Sequence, residues 1–273
     1  MTGRLVVCPT PIGNLEDVTL RVLAALREAD VVACEDTRRT RVLLDRYGVK
    51  ARLVSYHEHN EKSRAAELVG RMRDGAVVAL VSDAGMPLVS DPGYVLVRAC
   101  VAAGLQVEVL PGPSAAITAL VASGLPADEW HFHGFLPRKK GQLRELLSHG
   151  AGTLVAFESP RRLPATLALL AELDPGREVA VCRELTKVHE DIVRGAAAEL
   201  AARYRDNPPK GEIVVVVAAP AASGAASDVL DPAALDSLRE LVDAGAHPRK
   251  AASVVASLTG TSANALYRAL TSE

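Results

Sequence analysis

Residues 78–93, VALVSDAGMPLVSDPG, hold the side chains best placed for chemistry. The apolar run Val77 to Val81 is short and β-branched enough for a buried strand. It breaks at Ser82, Asp83, Ala84, Gly85, Met86 and Pro87. Small residues there leave backbone N–H and C=O groups open to a close ligand. Asp83 adds a carboxylate that can accept from an amine or a ribose. Ser90-Asp91-Pro92-Gly93 follows and leads into an apolar helical run from Tyr94 to Ala103. The same residues also suit a tight strand-to-helix loop whose Asp caps the next helix.

Two further loops repeat this design. Pro9-Thr10-Pro11-Ile12-Gly13-Asn14-Leu15 follows an apolar strand at Leu5–Cys8, stiffened by prolines and relaxed by one glycine. It is not GxGxxG, so a dinucleotide-binding turn is unsupported. Pro111-Gly112-Pro113-Ser114-Ala115 follows a strand at 106–110 and opens an apolar helix, which Ser114 either caps or leaves facing a ligand.

Charged residues gather at other strand ends. Glu35, Asp36, Arg38, Arg39 and Arg41 follow the strand Val31–Cys34. Acids suit a helix start and arginines suit phosphate. Arg183, Glu184 and Lys187 follow a strand at 178–182; Arg161 and Arg162 follow one at 153–157; Arg138, Lys139 and Lys140 form a basic turn. His57-Glu58-His59 places two histidines on one face of an extended segment. No further His or Cys cluster supplies a third ligand, so no metal is expected.

Strands and helices must carry these loops. Strand–helix alternation through residue 121 argues a parallel sheet, with ligands beyond its carboxyl ends. After Gly124-Leu125-Pro126 the texture shifts, and Trp130-His131-Phe132-His133-Gly134-Phe135 gathers three of the nine scarce aromatics. The expected organisation is an α/β domain over 1–124 and a second over 125–219. A small-residue linker follows at 218–228, then an all-helical domain over 228–273. Arg249, Lys250 and Arg268 give that last, helix-turn-helix-like part phosphate-binding capacity.

Composition narrows the field. The chain has 273 residues, 49% hydrophobic and only 3% aromatic, so Ala, Val and Leu must fill the core. A net charge of −2 excludes a global basic field, so any nucleic acid must meet local patches. Four scattered cysteines read as reduced core thiols of a cytoplasmic protein. No apolar run spans a bilayer.

With these pieces in place, the chain resembles the tetrapyrrole-methylase-like (class III) methyltransferases, and most closely their ribosomal-RNA branch. The pieces are PTPIGNL at 9–15, CEDTRRT at 34–40, HEHNE at 57–61, LVSDAGMPLVSDPGY at 80–94, LPGPSAAITAL at 110–120, GFLPRKK at 134–140, FESPRR at 157–162, RELTK at 183–187 and GEIVVVV at 211–217. They occur in order across the first 218 residues. The resemblance implies two α/β domains with S-adenosylmethionine in the cleft between them, and a homodimer. It implies methyl transfer to a cytidine ribose 2′-hydroxyl of small-subunit ribosomal RNA, free or in the 30S subunit, near the decoding region. It places cofactor contacts at Pro11, Ile12, Gly13, Ser82, Asp83, Ala84, Gly85, Met86, Ser114, Ala115, Phe157, Glu158, Cys182, Glu212 and Ile213.

A ribose hydroxyl is a poor nucleophile, and a general base would contribute typically ~10²–10⁴-fold. Glu35, Asp36 and Glu184 are the candidates. Lys187 or Arg183 suits developing alkoxide charge. RNA contacts are expected from Arg38, Arg39, Arg138, Lys139, Lys140, Arg161, Arg162, Arg183 and the helical tail. A tetrapyrrole C-methyltransferase is the rival reading; it wants an apolar, macrocycle-sized cleft rather than loops studded with arginine. A non-enzymatic RNA-binding protein leaves the paired glycine-proline loops unexplained.

Overall fold

A computed structural model describes residues 3–150, 152–220, 231–259 and 261–271. Its first sheet joins β1 (Arg4–Val7), β2 (Val31–Cys34), β3 (Leu53–Ser55), β4 (Val77–Leu80) and β5 (Gln106–Val109) in the order β3-β2-β4-β1-β5. All its pairings are parallel. The central strands are apolar on both faces because helices cover both. Leu5, Val7, Ala33, Val78 and Leu80 pack with α3 (Glu61–Arg73) and α4 (Tyr94–Ala102). Val6, Cys8, Val32, Ala79 and Val81 pack with α1 (Leu20–Glu28) and α2 (Thr37–Arg46). Thr19 caps α1 through its side chain, and Asp36 caps α2.

The second sheet joins β6 (Trp130–Phe135), β7 (Thr153–Glu158), β8 (Glu178–Arg183), β9 (Asp191–Ala196) and β10 (Ile213–Val217) in the order β6-β7-β10-β8-β9. It is mixed: β6 runs parallel to β7, whereas β10 is antiparallel to both its neighbours. One face carries Leu154, Ala156, Val181, Ile213 and Val215. It packs with α6 (Lys140–Ser148), α7 (Leu163–Leu173) and α8 (Ala197–Tyr204). The other face carries Val155, Ala180, Cys182, Val214 and Val216. It packs against Ala116, Ala119 and Leu120 of α5 (Ala115–Ser123), the helix that follows β5. Arg194 of β9 donates to the carbonyls of Ala122 and Ser123, closing the end of α5.

Contacts divide the chain into two units, residues 1–147 with 151–218, and residues 148–150 with 219–273. In the second unit, α9 (Pro232–Asp243), α10 (Pro248–Thr259) and α11 (Ala263–Thr271) pack on Leu238, Ala252, Val255 and Leu266. Asp231 caps α9 as its Asp-Pro start predicts. Most of the expected linker, residues 221–228, and the turn glycine Gly260 lie outside the described residues. Among the described residues no helix is long and apolar enough to cross a membrane.

Candidate active site

Topology brings distant loops together. β1 lies between β4 and β5, so the loops after those three strands are neighbours. Thr10 and Gly85 exchange backbone hydrogen bonds of 2.9 Å, and the Thr10 hydroxyl donates to the Ser82 carbonyl at 3.0 Å. Gly85 has φ +82°, a conformation that strains any other residue. Because β10 runs antiparallel, its beginning lies beside the ends of β7 and β8: Ile213 is in register with Glu158 on one side and Arg183 on the other.

These two groups of loops enclose a cavity of about 400 Å³. Ile12, Ala84, Gly85, Met86, Ser114 and Ala115 line it from the first group, and Phe157, Glu158, Cys182, Glu212 and Ile213 from the second. The resemblance places cofactor contacts at all of these. It places none at Val89, Ser90, Asp91, Ala116, Phe135, Ser159, Pro160, Leu185, Gly211 and Val214, which also line it. Asp91 and Ser90 were legible as a second broken piece of the same loop. Phe135 was legible as the end of the aromatic strand.

Pro11, Gly13, Ser82 and Asp83 stand behind the lining rather than in it. A Cβ on Gly13 would lie 2.5 Å from the Lys187 side chain and 2.9 Å from the Leu185 carbonyl, so only glycine lets the two loop groups meet so closely. The Asn14 N–H donates to the Thr186 hydroxyl at 3.0 Å across the same junction. The Ser82 hydroxyl donates to the Gly85 carbonyl at 3.0 Å. Asp83 accepts the Asp36 N–H at 3.0 Å and stands 3.6 Å from the Arg39 guanidinium. Its carboxylate is therefore engaged in tying the loop after β2 to the loop after β4, and does not cap α4. Ser114 makes no side-chain cap on α5, so that helix opens its first N–H groups toward the cavity.

The four candidate catalytic side chains have separate fates. Asp36 holds Arg38 with both oxygens, at 3.1 and 2.7 Å, and caps α2. Those hydrogen bonds keep its carboxyl down at about 2. Glu184 accepts the Glu212 N–H at 2.8 Å and Lys187 Nζ at 2.9 Å, which lower its pKa. Lys187 also reaches Glu212 at 3.0 Å. This trio fixes the Gly211–Glu212 wall. Glu35 is raised, first by burial and then by Asp83. Asp91, a cavity-lining carboxyl, is pushed up to about 7 by burial, then by Glu35 and Asp83.

The expected RNA-binding residues divide similarly. Arg38, Arg39, Arg138, Lys139, Lys140 and Arg161 are exposed. Lys140 lies 3.8 Å from Glu172. Arg162 turns inward instead: it donates to the carbonyls of Leu136 and Pro137 and sits 3.4 Å from the fully buried Glu158 carboxylate. Arg183 is half-buried. Arg249, over the Tyr267 ring, belongs with Lys250 and Arg268 to the helical unit. Among the described residues no group of three His, Cys, Asp or Glu could hold a metal, and His57 and His59 meet edge to face. All four cysteines are free and buried.

The sequence profile of the Tetrapyrrole (Corrin/Porphyrin) Methylases matches residues 4–201, and the chain belongs to that family. It is a methyltransferase whose methyl donor is S-adenosylmethionine. The chain is 49% identical over 271 residues to the ribosomal RNA small subunit methyltransferase I of Mesorhizobium japonicum, covering 97% of this chain and 90% of that one. It is 44% identical over 272 residues to the protein of that name from Escherichia coli O157:H7, covering 97% and 94%. Its fold is similar to uroporphyrin-III C-methyl transferase from Thermus thermophilus complexed with S-adenyl homocysteine, with TM-score 0.55, 22% identity, and coverage of 78% and 97%.

The cavity's chemistry fits the donor. Its volume falls in the ~300–1,000 Å³ range of small-molecule sites. Ile12, Met86, Ile213 and Val214 are apolar walls that would suit an adenine, and the uncapped start of α5 would suit a carboxylate. When bound, S-adenosylmethionine supplies an electrophilic methyl group on a sulfonium.

Proposed function

We propose that this protein methylates the ribose 2′-hydroxyl of a cytidine in small-subunit ribosomal RNA, near the decoding centre. The observation that carries the reading is near-full-length similarity, at 38–49% identity, to proteins named ribosomal RNA small subunit methyltransferase I. The residues support it from below. The eleven lining residues named from sequence hold the donor, with Gly13 and Asp83 bracing them. Arg138, Lys139 and Arg161 stand on loops beside the second sheet's contribution to the cavity and suit phosphate contacts. A homodimer acting in the cytoplasm on the 30S subunit completes the proposal. Holding donor and acceptor in line supplies much of the rate in such a displacement.

The test is nucleoside mass analysis of small subunits incubated with the protein and S-adenosylmethionine. The expected product is 2′-O-methylcytidine. A carbon-methylated tetrapyrrole made from a uroporphyrinogen substrate, with no ribose methylation, would transfer the chain to the rival reading.

A further inference from the structure

Of the three phenylalanines, Phe135 alone is largely exposed, at 63%. It ends β6, where the register with β7 shifts between Phe132 and Phe135 and Gly134 takes φ +74°. That irregularity re-aims a side chain at the strand end. The ring lines the cavity and meets Phe157 edge to face at 5.5 Å. Single exposed apolar side chains are common on this chain; Phe135 differs in that its ring stands in the wall of the cavity, with a face open to stack on a ligand. The basic turn Arg138-Lys139-Lys140 follows within five residues.

The opposite edge of this lip comes from the first sheet's loop. Ser90, at φ +67°, brings its hydroxyl within 3.5 Å of where a Gly134 Cβ would stand. The next residue, Asp91, lines the same cavity. Its carboxyl has no hydrogen-bond partner or cation beside it among the described residues. Glu35 and Asp83 are the charged groups that face it; Arg39 pairs with Asp83, and His57 stands near Glu35.

We propose that this lip is the acceptor subsite: an unstacked nucleobase lies on Phe135, and the ribose hydroxyl faces the Asp91 carboxylate. The inference rests on the RNA-methylating reading above and adds which residues receive the nucleotide. Aromatic platforms stack any base, while the neighbouring turn holds its phosphates. Enzymes that act on a nucleotide take it out of the stack before reacting. The hydroxyl proton passes to Asp91. The oxygen lone pair forms the new bond to the methyl carbon as the carbon–sulfur bond breaks, and that electron pair stays on sulfur. Asp91 then releases the proton to water. A carboxyl titrating near neutrality suits this task.

Three variants test it: Phe135→Ala, Phe135→Trp and Asp91→Asn. For Phe135→Ala, small-subunit affinity in the presence of S-adenosylhomocysteine should fall roughly tenfold, a typical loss for one stacking platform. Calorimetric affinity for S-adenosylmethionine should stay within about threefold, because the loss is confined to the acceptor. Phe135→Trp should restore subunit binding. Asp91→Asn should bind both partners normally, turn over ~10²–10⁴-fold more slowly, and lose the wild-type rise in rate through pH 7. Unchanged subunit binding by Phe135→Ala, loss of donor affinity instead, or failure of Trp to rescue would overturn the platform. A wild-type pH profile in Asp91→Asn would overturn the proton acceptor. If wild-type protein leaves small subunits unmethylated, the underlying function fails too, and that control separates the two outcomes.

Discussion

Gly13 gives the most direct test of how the cavity is held together. Its φ is not in the left-handed region, so glycine serves there for space alone. A Cβ would come 2.5 Å from Lys187 Cγ, 2.7 Å from Thr186 Oγ1 and 2.9 Å from the Leu185 carbonyl oxygen. The lysine carbon can move; the carbonyl cannot move freely. Leu185 is flanked by Glu184 at φ +50° and Thr186 at φ +64°, both non-glycine residues in a costly conformation. The Glu184 N–H is also bonded to the Glu212 carbonyl at 3.0 Å. Gly13→Ala therefore pries the two loop groups apart, at about 1–3 kcal/mol for overpacking. For a unit of this size each kcal/mol lowers Tm by roughly 2–4 °C, so a fall of about 2–12 °C is expected by scanning fluorimetry. Ile12 and Leu185, on either side of the contact, both line the cavity. Losing half of that energy from donor binding weakens it by roughly two- to tenfold, measurable by calorimetry. Unchanged Tm and unchanged donor affinity would refute the steric reasoning. A lower Tm with intact affinity would show that the strain relaxes away from the cavity.

Other perturbations have distinct signatures. Gly70→Ala, inside α3 with open space around its Cβ position, should stabilise by roughly 0.5–1 kcal/mol, read as a higher urea midpoint. Arg177 is buried and donates to the carbonyls of Ala218 and Leu147; Arg177→Met strands both acceptors and should cost about 2–5 kcal/mol in the same assay. Asp91 has a folded pKa of about 7, above its ordinary unfolded value, so its stabilising contribution is complete below pH ~4 and lost as pH rises to 7. Asp91→Asn should match the wild-type Tm near pH 4 and exceed it above pH 7. After discounting for partial exposure, that gain is on the order of 1–2 kcal/mol, and a pH-independent difference would contradict the burial argument.

Much of this site was legible because its signals are local. A β-branched run ending in glycine, proline and serine marks a strand end, and parallel strands place such ends together. The loops after β1, β4 and β5 were therefore readable as one group. Asp83 and Asp91 sit eight residues apart in the same loop, and nothing in the sequence says which carboxylate faces the cavity. That depends on Asp83 meeting the Asp36 N–H, a contact made across 47 positions. The inward turn of Arg162 likewise depends on the carbonyls of Leu136 and Pro137. The antiparallel run of β10 carries no local mark, since a wholly β-branched run such as IVVVV suits either strand direction. Exposure of Phe135 follows from a register shift with β7, and register is a property of two strands.

The placement of α5 bears on how such a chain could be divided. That helix leaves the first sheet but spreads Ala116, Ala119 and Leu120 over Val155, Ala180, Val214 and Val216 of the second. A gene cut after residue 124 would give one product with a naked aliphatic helix and another with a stripped sheet. Neither piece should be soluble alone, whereas co-expression should let each rescue the other. The two sheets are thus joined through α5 into one unit that should be divisible only at the expense of both halves.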